Sequence, residues 1–302
     1  MIFAATARAE RFLDPGVLAR IANLQLAART VVEGFIAGLH RSPQYGLSPE
    51  FAEYRPYTPG DDPRSVDWNV FARTDRYYIK KYPGETNTRV YLALDVSRSM
   101  GYRSGALTKL EYGSLLAASL AYFALRQRDA AGLILFDTEI REFIPPRLRP
   151  GQLSQVLRAL EAARPGRGTD LCSSLDKLAQ FVRHRSLVAI ISDLYEEPER
   201  LSGAFRRVQF GRNDLMVFHV LDPNEVSPDL RDAAVLEDLE TRDRMDVAPA
   251  YVQREYRKLI AQHMEQLRLA CRDSRLDYLM MNTAQPLDEA LFNFLSLRQR
   301  KS

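Results

Sequence analysis

Asp95, Ser97 and Ser99 stand at alternate positions in the stretch Arg89 to Met100, RVYLALDVSRSM. A carboxylate and two hydroxyls spaced this way offer only hard oxygen donors, the kind that suits a small divalent cation such as Mg²⁺ or Mn²⁺. Asp and Ser are common in turns, so these three alone are a weak signal. The chain supplies two more oxygens in suitable places. Thr169 sits at the tip of Gly166-Arg167-Gly168-Thr169-Asp170, a loop opening a helix, and Asp193 closes a second apolar run, Leu187 to Ile191. Two carboxylates roughly neutralise a divalent ion, and hydroxyls add no charge, so such an ion retains affinity for an anionic ligand from elsewhere.

Two other readings compete. In the first, these residues only cap helices and shape turns: Ser97 and Ser99 precede a helix beginning at Lys109, and Thr169 is a natural cap for the helix near Leu171. In the second, Asp95 is the nucleophile of a Mg²⁺-dependent phosphatase or phosphoryl-transfer enzyme. The acid expected two residues later is Ser97, however, and no His or Lys stands where it could obviously substitute. GxxxxGK[ST], a GxGxxG after a strand, GxSxG and HExxH are all missing from the chain, which removes the usual ATPase, dinucleotide, esterase and zinc-protease readings.

The elements that must carry these oxygens follow from hydropathy. Val90 to Leu94 is a continuous apolar run of strand length, which reads as a strand buried on both faces. Its carboxyl end is where open α/β sheets bind ligands. Further strands are expected at Asp129 to Asp137, Ser186 to Asp193, Leu215 to Leu221 and Leu276 to Met281, with a short edge strand, Glu139 to Ile144, ended by Pro145-Pro146. Helices are expected at Lys109 to Arg128, Gly151 to Ala163, Leu171 to Arg185, Pro198 to Gln209, Tyr251 to Arg272 and Leu287 to Leu297. Alternation of this kind predicts βαβ units and an α/β fold with a doubly wound, mostly parallel sheet. A hairpin inserted near 233–247 breaks the rhythm.

Composition narrows the function. In 302 residues, 42 basic side chains nearly balance 39 acidic ones for a net charge of +3, which argues against an electrostatic grip on nucleic acid. Two cysteines, Cys172 and Cys271, form no CxxC, and four scattered histidines have no metal-binding spacing. MIFAATARAERFLDP lacks a signal peptide's apolar core, and no run is long enough to cross a bilayer, so a cytoplasmic protein is expected.

Ahead of the Asp95 strand, a helical apolar pattern from Pro15 to Leu39 leads into a proline-punctuated segment, FAEYRPYTPGDDPRSVDWNVFAR, from Phe51 to Arg73. Asp61, Asp62, Arg64, Asp67 and Arg73 there read as a charged network in preference to a second ligand site, because mixed signs at short range pair among themselves. YYIKKY, Tyr77 to Tyr82, alternates as a strand with one wet face. The expected division is residues 1–88 as an amino-terminal segment and 89–302 as the main domain.

DxSxS, a loop threonine and a later strand-ending aspartate resemble the metal-ion-dependent adhesion site of von Willebrand factor type A domains, with all five positions filled. Arg167 departs from the small residues common in such loops. EYRPYTPGDDPRSVDWNVFART just before DVSRSM resembles the signature of the domain-of-unknown-function 58 family, from about Gly38 to near the C-terminus. That resemblance implies a von Willebrand type A-like domain behind the amino-terminal segment. It also implies a metal held by Asp95, Ser97, Ser99, Thr169 and Asp193, with an acidic side chain from a partner as a further ligand. Members often lie beside MoxR-type AAA+ ATPases, so such an ATPase or its client is the implied partner, in assembly, chaperone-like or metal-insertion work.

Overall fold

The Val90–Leu94 run lies at the centre of a six-stranded sheet, and every one of its side chains is buried. The structure, a computed structural model, describes residues 23–41, 53–57, 71, 77–81, 88–166, 168, 170–183, 185–228, 234–237, 244–247, 255–287 and 291. Several sequence expectations therefore lie outside the described residues: Thr169, Arg167, the Asp61–Trp68 stretch, Arg73, residues 15–22 and most of the closing helix. The helix expected from Pro15 begins at Leu24, where Asn23 Oδ1 accepts from Leu26 N at 2.9 Å.

In chain order the elements begin with α1 (Leu24–Arg41), β1 (Glu53–Pro56), β2 (Tyr78–Lys81), β3 (Arg89–Asp95), α2 (Lys109–Arg126), β4 (Ala130–Phe136) and β5 (Ile140–Arg147). They continue with α3 (Gln152–Ala162), α4 (Leu171–Phe181), β6 (Ser186–Ser192), α5 (Pro198–Gln209), β7 (Asp214–Leu221) and α6 (Pro223–Val226). The last are β8 (Ala234–Glu237), β9 (Arg244–Val247), α7 (Arg257–Asp273) and β10 (Asp277–Asn282). The large sheet has the order β10-β7-β6-β3-β4-β5, parallel except that β5 runs antiparallel to β4. β1 pairs with β2, and β8 with β9, as separate antiparallel ladders.

This is the doubly wound, mostly parallel α/β sheet that the alternation predicts. The chain builds outward from β3 through β4 to β5, then returns to β6 on the other side. The order reverses between β3 and β6, and such a switch point leaves a crevice at the strands' carboxyl ends. Asp95 and Asp193 leave the sheet there, because β3 and β6 pair in register up to Leu94 and Ile191.

Alternation along β3 divides the core. Val90, Leu92 and Leu94 pack with α1, α2 and α3, while Tyr91 and Ala93 pack with α4, α5 and α7. α2 runs close to the sheet because Ala117, Ala118, Ala121 and Ala124 are all fully buried. A Cβ on its Gly113 would come within 2.8 Å of Leu94 Cδ1.

Two element ends and one strand differ from expectation in instructive ways. β5 continues through Pro145-Pro146 to Arg147 because it is an edge strand, whose outward side needs no N–H donor. Gly132 on β4 makes room for those prolines, since a Cβ there would lie 2.5 Å from Ile144 O and 2.6 Å from Pro146 N. α4 stops at Phe181, short of Arg185, because Val182 is extended and buries its side chain as the chain turns toward β6. The strand β1 was not anticipated, since proline and turn residues dominate its surroundings.

Candidate metal centre at the carboxyl edge of the sheet

Where β3 ends, Asp95 is fully buried and each carboxylate oxygen accepts a hydrogen bond. Ser97 N donates to Oδ1 at 2.8 Å, and Ser192 Oγ donates to Oδ2 at 2.7 Å. The first bond folds the chain back so that Ser97 and Ser99, two residues apart, bring their hydroxyl oxygens to 3.1 Å. A short 3-10 turn, Ser99–Gly101, holds that arrangement. The turn is fixed from outside as well. Val96 N donates to Phe136 O at 2.7 Å, and Gly166 N donates to Val96 O at 2.6 Å, so the loop leading to Thr169 is strapped onto it.

Asp193, 2% exposed, follows β6 directly. Its Oδ2 accepts a 2.7 Å bond from Lys109 Nζ, whose ammonium also donates to Glu225 Oε1 at 2.6 Å and lies 5.1 Å from the Tyr195 ring centroid. His219 Nε2 lies 2.9 Å from Asp193 O, and its Nδ1 lies 2.7 Å from Tyr278 Oη. Leu194, fully buried, adopts a left-handed backbone (φ 51°) that a leucine rarely takes, and Leu194 N donates to Ser192 Oγ at 3.1 Å. Strain of this kind at a strand end fixes where the neighbouring carboxylate points.

Charge is unbalanced at this rim. Asp95, Asp193 and Glu225 are three buried or nearly buried acids, and among the described residues only Lys109 contacts any of them with a positive charge. Burial, reinforced by Asp193, pushes the Asp95 carboxyl up to about 7. Burial likewise raises Glu225 despite Lys109. Burial works against the Lys109 ammonium, but Asp193 and Glu225 outweigh it and raise its pKa. Buried His219 is pushed down to about 4 and so stays neutral.

These residues fit a small divalent cation. Neighbouring ligands on an octahedral ion with Mg–O bonds of this class sit about 2.9 Å apart, close to the Ser97–Ser99 spacing. Asp95, Asp193 and Glu225 against one ammonium leave a deficit of two positive charges when all are ionised, and buried Asp222 beside Glu225 adds a further negative charge. Among the described residues no group of three or more His, Cys, Asp or Glu forms a metal cluster, so hydroxyls would be part of any ligand set.

Of the five sequence-derived positions, the structure brings Asp95, Ser97 and Ser99 together and sets Asp193 beside them, and Thr169 lies outside the described residues. The capping alternative does not describe the serines. α2 is capped by Thr108 in a reciprocal capping box with Glu111, and α4 is capped by Asp170, which accepts from Ser173 N at 3.1 Å. A lysine stands beside the site, Lys109, paired with Asp193 and Glu225 and so not in the place of the general acid. Lys109, Ser192 and Glu225 were not singled out from sequence. A signal for Lys109 exists, since a cation in the first turn of a helix opposes the helix dipole and needs acidic partners.

Comparison with known proteins gives a relative in sequence and several in structure. The uncharacterized protein Rv1480 of Mycobacterium tuberculosis is 27% identical over 232 residues, covering 76% of this chain and 72% of that protein. Among solved structures, the conserved hypothetical protein BatB of Bacteroides thetaiotaomicron is similar with a TM-score of 0.49 at 15% identity, over 71% of this chain and 100% of that one. The VWA domain of SpRpn10 follows at 0.39 and 11%, over 68% and 93%. Residues 53–266, well over half the sequence, match the family model described as protein of unknown function DUF58, and the chain belongs to that family.

Proposed function

We propose that this chain is a metal-dependent protein-binding and scaffolding module. Ser97, Ser99 and Thr169 give their hydroxyl oxygens to Mg²⁺ or Mn²⁺ at the sheet's carboxyl edge, Asp95 and Asp193 act on it directly or through bound waters, and the ion is presented to an acidic side chain of another protein. The observation that carries this reading is the Ser97–Ser99 hydroxyl pair, 3.1 Å apart, beside a buried Asp95 carboxylate that no described cation contacts. The chain's own groups do the positioning: Ser97 N and Ser192 Oγ orient Asp95, and Lys109 holds one oxygen of Asp193. A bound cation supplies an open coordination position for a carboxylate, which makes the contact depend on metal and on one acid of the partner. The family resemblance names a MoxR-type AAA+ ATPase or its client as that partner, in assembly or chaperone-like work.

The phosphoryl-transfer alternative is disfavoured by the same carboxylate. Asp95 is fully buried and both its oxygens are occupied by hydrogen-bond donors, whereas a nucleophile needs an open approach. Lys109 is held between two acids and is not free to protonate a leaving group.

Calorimetry with Mg²⁺ and Mn²⁺ tests the site: binding is expected in the wild type and lost in Asp95→Ala, and equal heats in both would exclude it. A pull-down from lysate should lose its main acidic partner when EDTA is added. Turnover of generic aryl phosphates that disappears in Asp95→Asn would replace the binding reading with the enzymatic one.

A further inference from the structure

Val96, between two of the proposed ligands, also lines a groove of about 460 Å³ between β5 and α3. Its floor is apolar: Val96, Leu135 and Ile144 are buried beneath it. The small side chains of Ala159, Ala162 and Ala163 on and just beyond α3 leave the space open. The loop residue Gly166, whose N–H bonds Val96 O, closes the end nearest the DVSRS turn.

The polar rim is unequal. Arg141 is committed to buried Asp137 at 2.6 Å, and Arg164 Nη1 donates to Glu161 O and Ala163 O at 2.9 and 2.7 Å. Arg158 is exposed and makes neither ion pair nor hydrogen bond with any described residue. It is therefore a guanidinium ready to take a carboxylate in bidentate fashion without first breaking an internal bond. Glu142 lies on the β5 side, so an incoming acid is steered toward the Arg158 wall.

From this we infer that the groove is the second half of the partner surface and that its occupant is an extended acidic segment of another protein. One acid of that segment takes the proposed metal, small apolar residues lie over Val96 and Ile144, and a second acid pairs with Arg158. The inference rests on the metal-binding reading for its first contact. The groove supplies what a lone metal contact lacks, a preference for the spacing between two acids. Extended chain advances about 3.3 Å per residue with alternate side chains on one face, so the preference repeats in steps of two residues.

The test uses the full-length chain and acetylated, amidated hexapeptides of alanine and glycine carrying one fixed aspartate. A glutamate is walked through the following positions, and affinity is read by fluorescence anisotropy with Mg²⁺ or with EDTA. In Mg²⁺, one spacing or one alternate pair of spacings should bind roughly fivefold better than the single-acid peptide. Arg158→Glu should erase that advantage while leaving the single-acid peptide unaffected. Ala162→Trp, which fills the groove from an exposed position, should weaken the preferred peptide alone. If no peptide binds, no spacing is preferred, or the preference survives Arg158→Glu, the groove proposal is overturned. An Arg158-dependent preference that is the same in EDTA supports the groove and overturns the metal reading instead.

Discussion

Lys109 Nζ lies 2.7 Å from Asp193 Oδ2 with both side chains buried, so the first turn of α2 is bolted to the end of β6 across the switch point. Breaking a buried pair by removing one partner strands the other charge. Lys109→Met keeps most of the volume and leaves Asp193 and Glu225 facing each other, and it should cost about 3–5 kcal/mol in urea unfolding with EDTA present. Adding Glu225→Gln should recover part of that loss, since the pair act on one ammonium and their effects do not add. Mg²⁺ should stabilise Lys109→Met more than the wild type, because the variant's acids carry a larger charge deficit. Equal shifts in both proteins would mean that the ion does not sit near Asp193.

Asp95 makes a prediction of opposite sign. Its carboxylate is buried with hydrogen bonds but no described cation, a costly arrangement in the metal-free protein. Asp95→Asn keeps an acceptor for Ser97 N and removes the charge. In EDTA the variant should be as stable as the wild type, or more stable by up to about 2 kcal/mol. In Mg²⁺ the order should reverse, because only the wild type is stabilised by binding. Thermal unfolding of both proteins in both buffers reads this directly, and a variant that gains as much from Mg²⁺ as the wild type would remove Asp95 from the ligand set.

The sheet and the DVSRS turn were legible because their signals are local. An apolar run of strand length ending on an acid specifies a buried strand and the edge where it stops. The register of β3 with β6 was not legible, because a strand apolar on both faces carries no alternation to set it. The path of β5 through Pro145 and Pro146 was not legible, since proline reads as a stop until the strand is known to be at an edge with Gly132 opposite. The acid–lysine cluster was hidden for a different reason. Lys109, Asp193 and Glu225 are 84 and 116 residues apart along the chain from the lysine, and only the crossovers bring them together. Thr108 and Glu111 announced the start of α2 plainly, but the lysine between them reads as solvated until the helix is placed.

Gly166 tests how the second loop is held against the turn. A Cβ there would overlap Asp137 Oδ2 and lie 3.2 Å from Val96 O, which accepts the Gly166 N–H. Asp137 is fully buried and paired with Arg141, so it cannot swing aside freely. Gly166→Ala should therefore push the loop off the turn, cost roughly 1–3 kcal/mol and weaken Mg²⁺ binding in calorimetry. Gly105→Ala is the control: nothing lies within 4 Å of its Cβ position, and stability should stay level or rise slightly. If Gly166→Ala destabilises the fold but leaves Mg²⁺ affinity intact, the loop is structural and Thr169 is not a ligand.

The two cysteines report on that loop without any mutation. Cys172 lies in the first turn of α4, three residues after Thr169, and is 7% exposed, whereas Cys271 on α7 is fully buried. Burial pushes their thiols up to about 11 and about 12, so neither reacts readily while its helix is closed. Modification by an aromatic disulfide then measures local opening, and opening the first turn of α4 displaces Thr169. A cation held partly by Thr169 must be released before that turn opens, so saturating Mg²⁺ should slow Cys172 labelling roughly tenfold or more, with EDTA restoring the rate. Cys271 sits on another helix and should keep its rate in both buffers. Equal protection of both thiols would mean that Mg²⁺ stabilises the whole fold without engaging this loop, and no protection at Cys172 would take Thr169 out of the site.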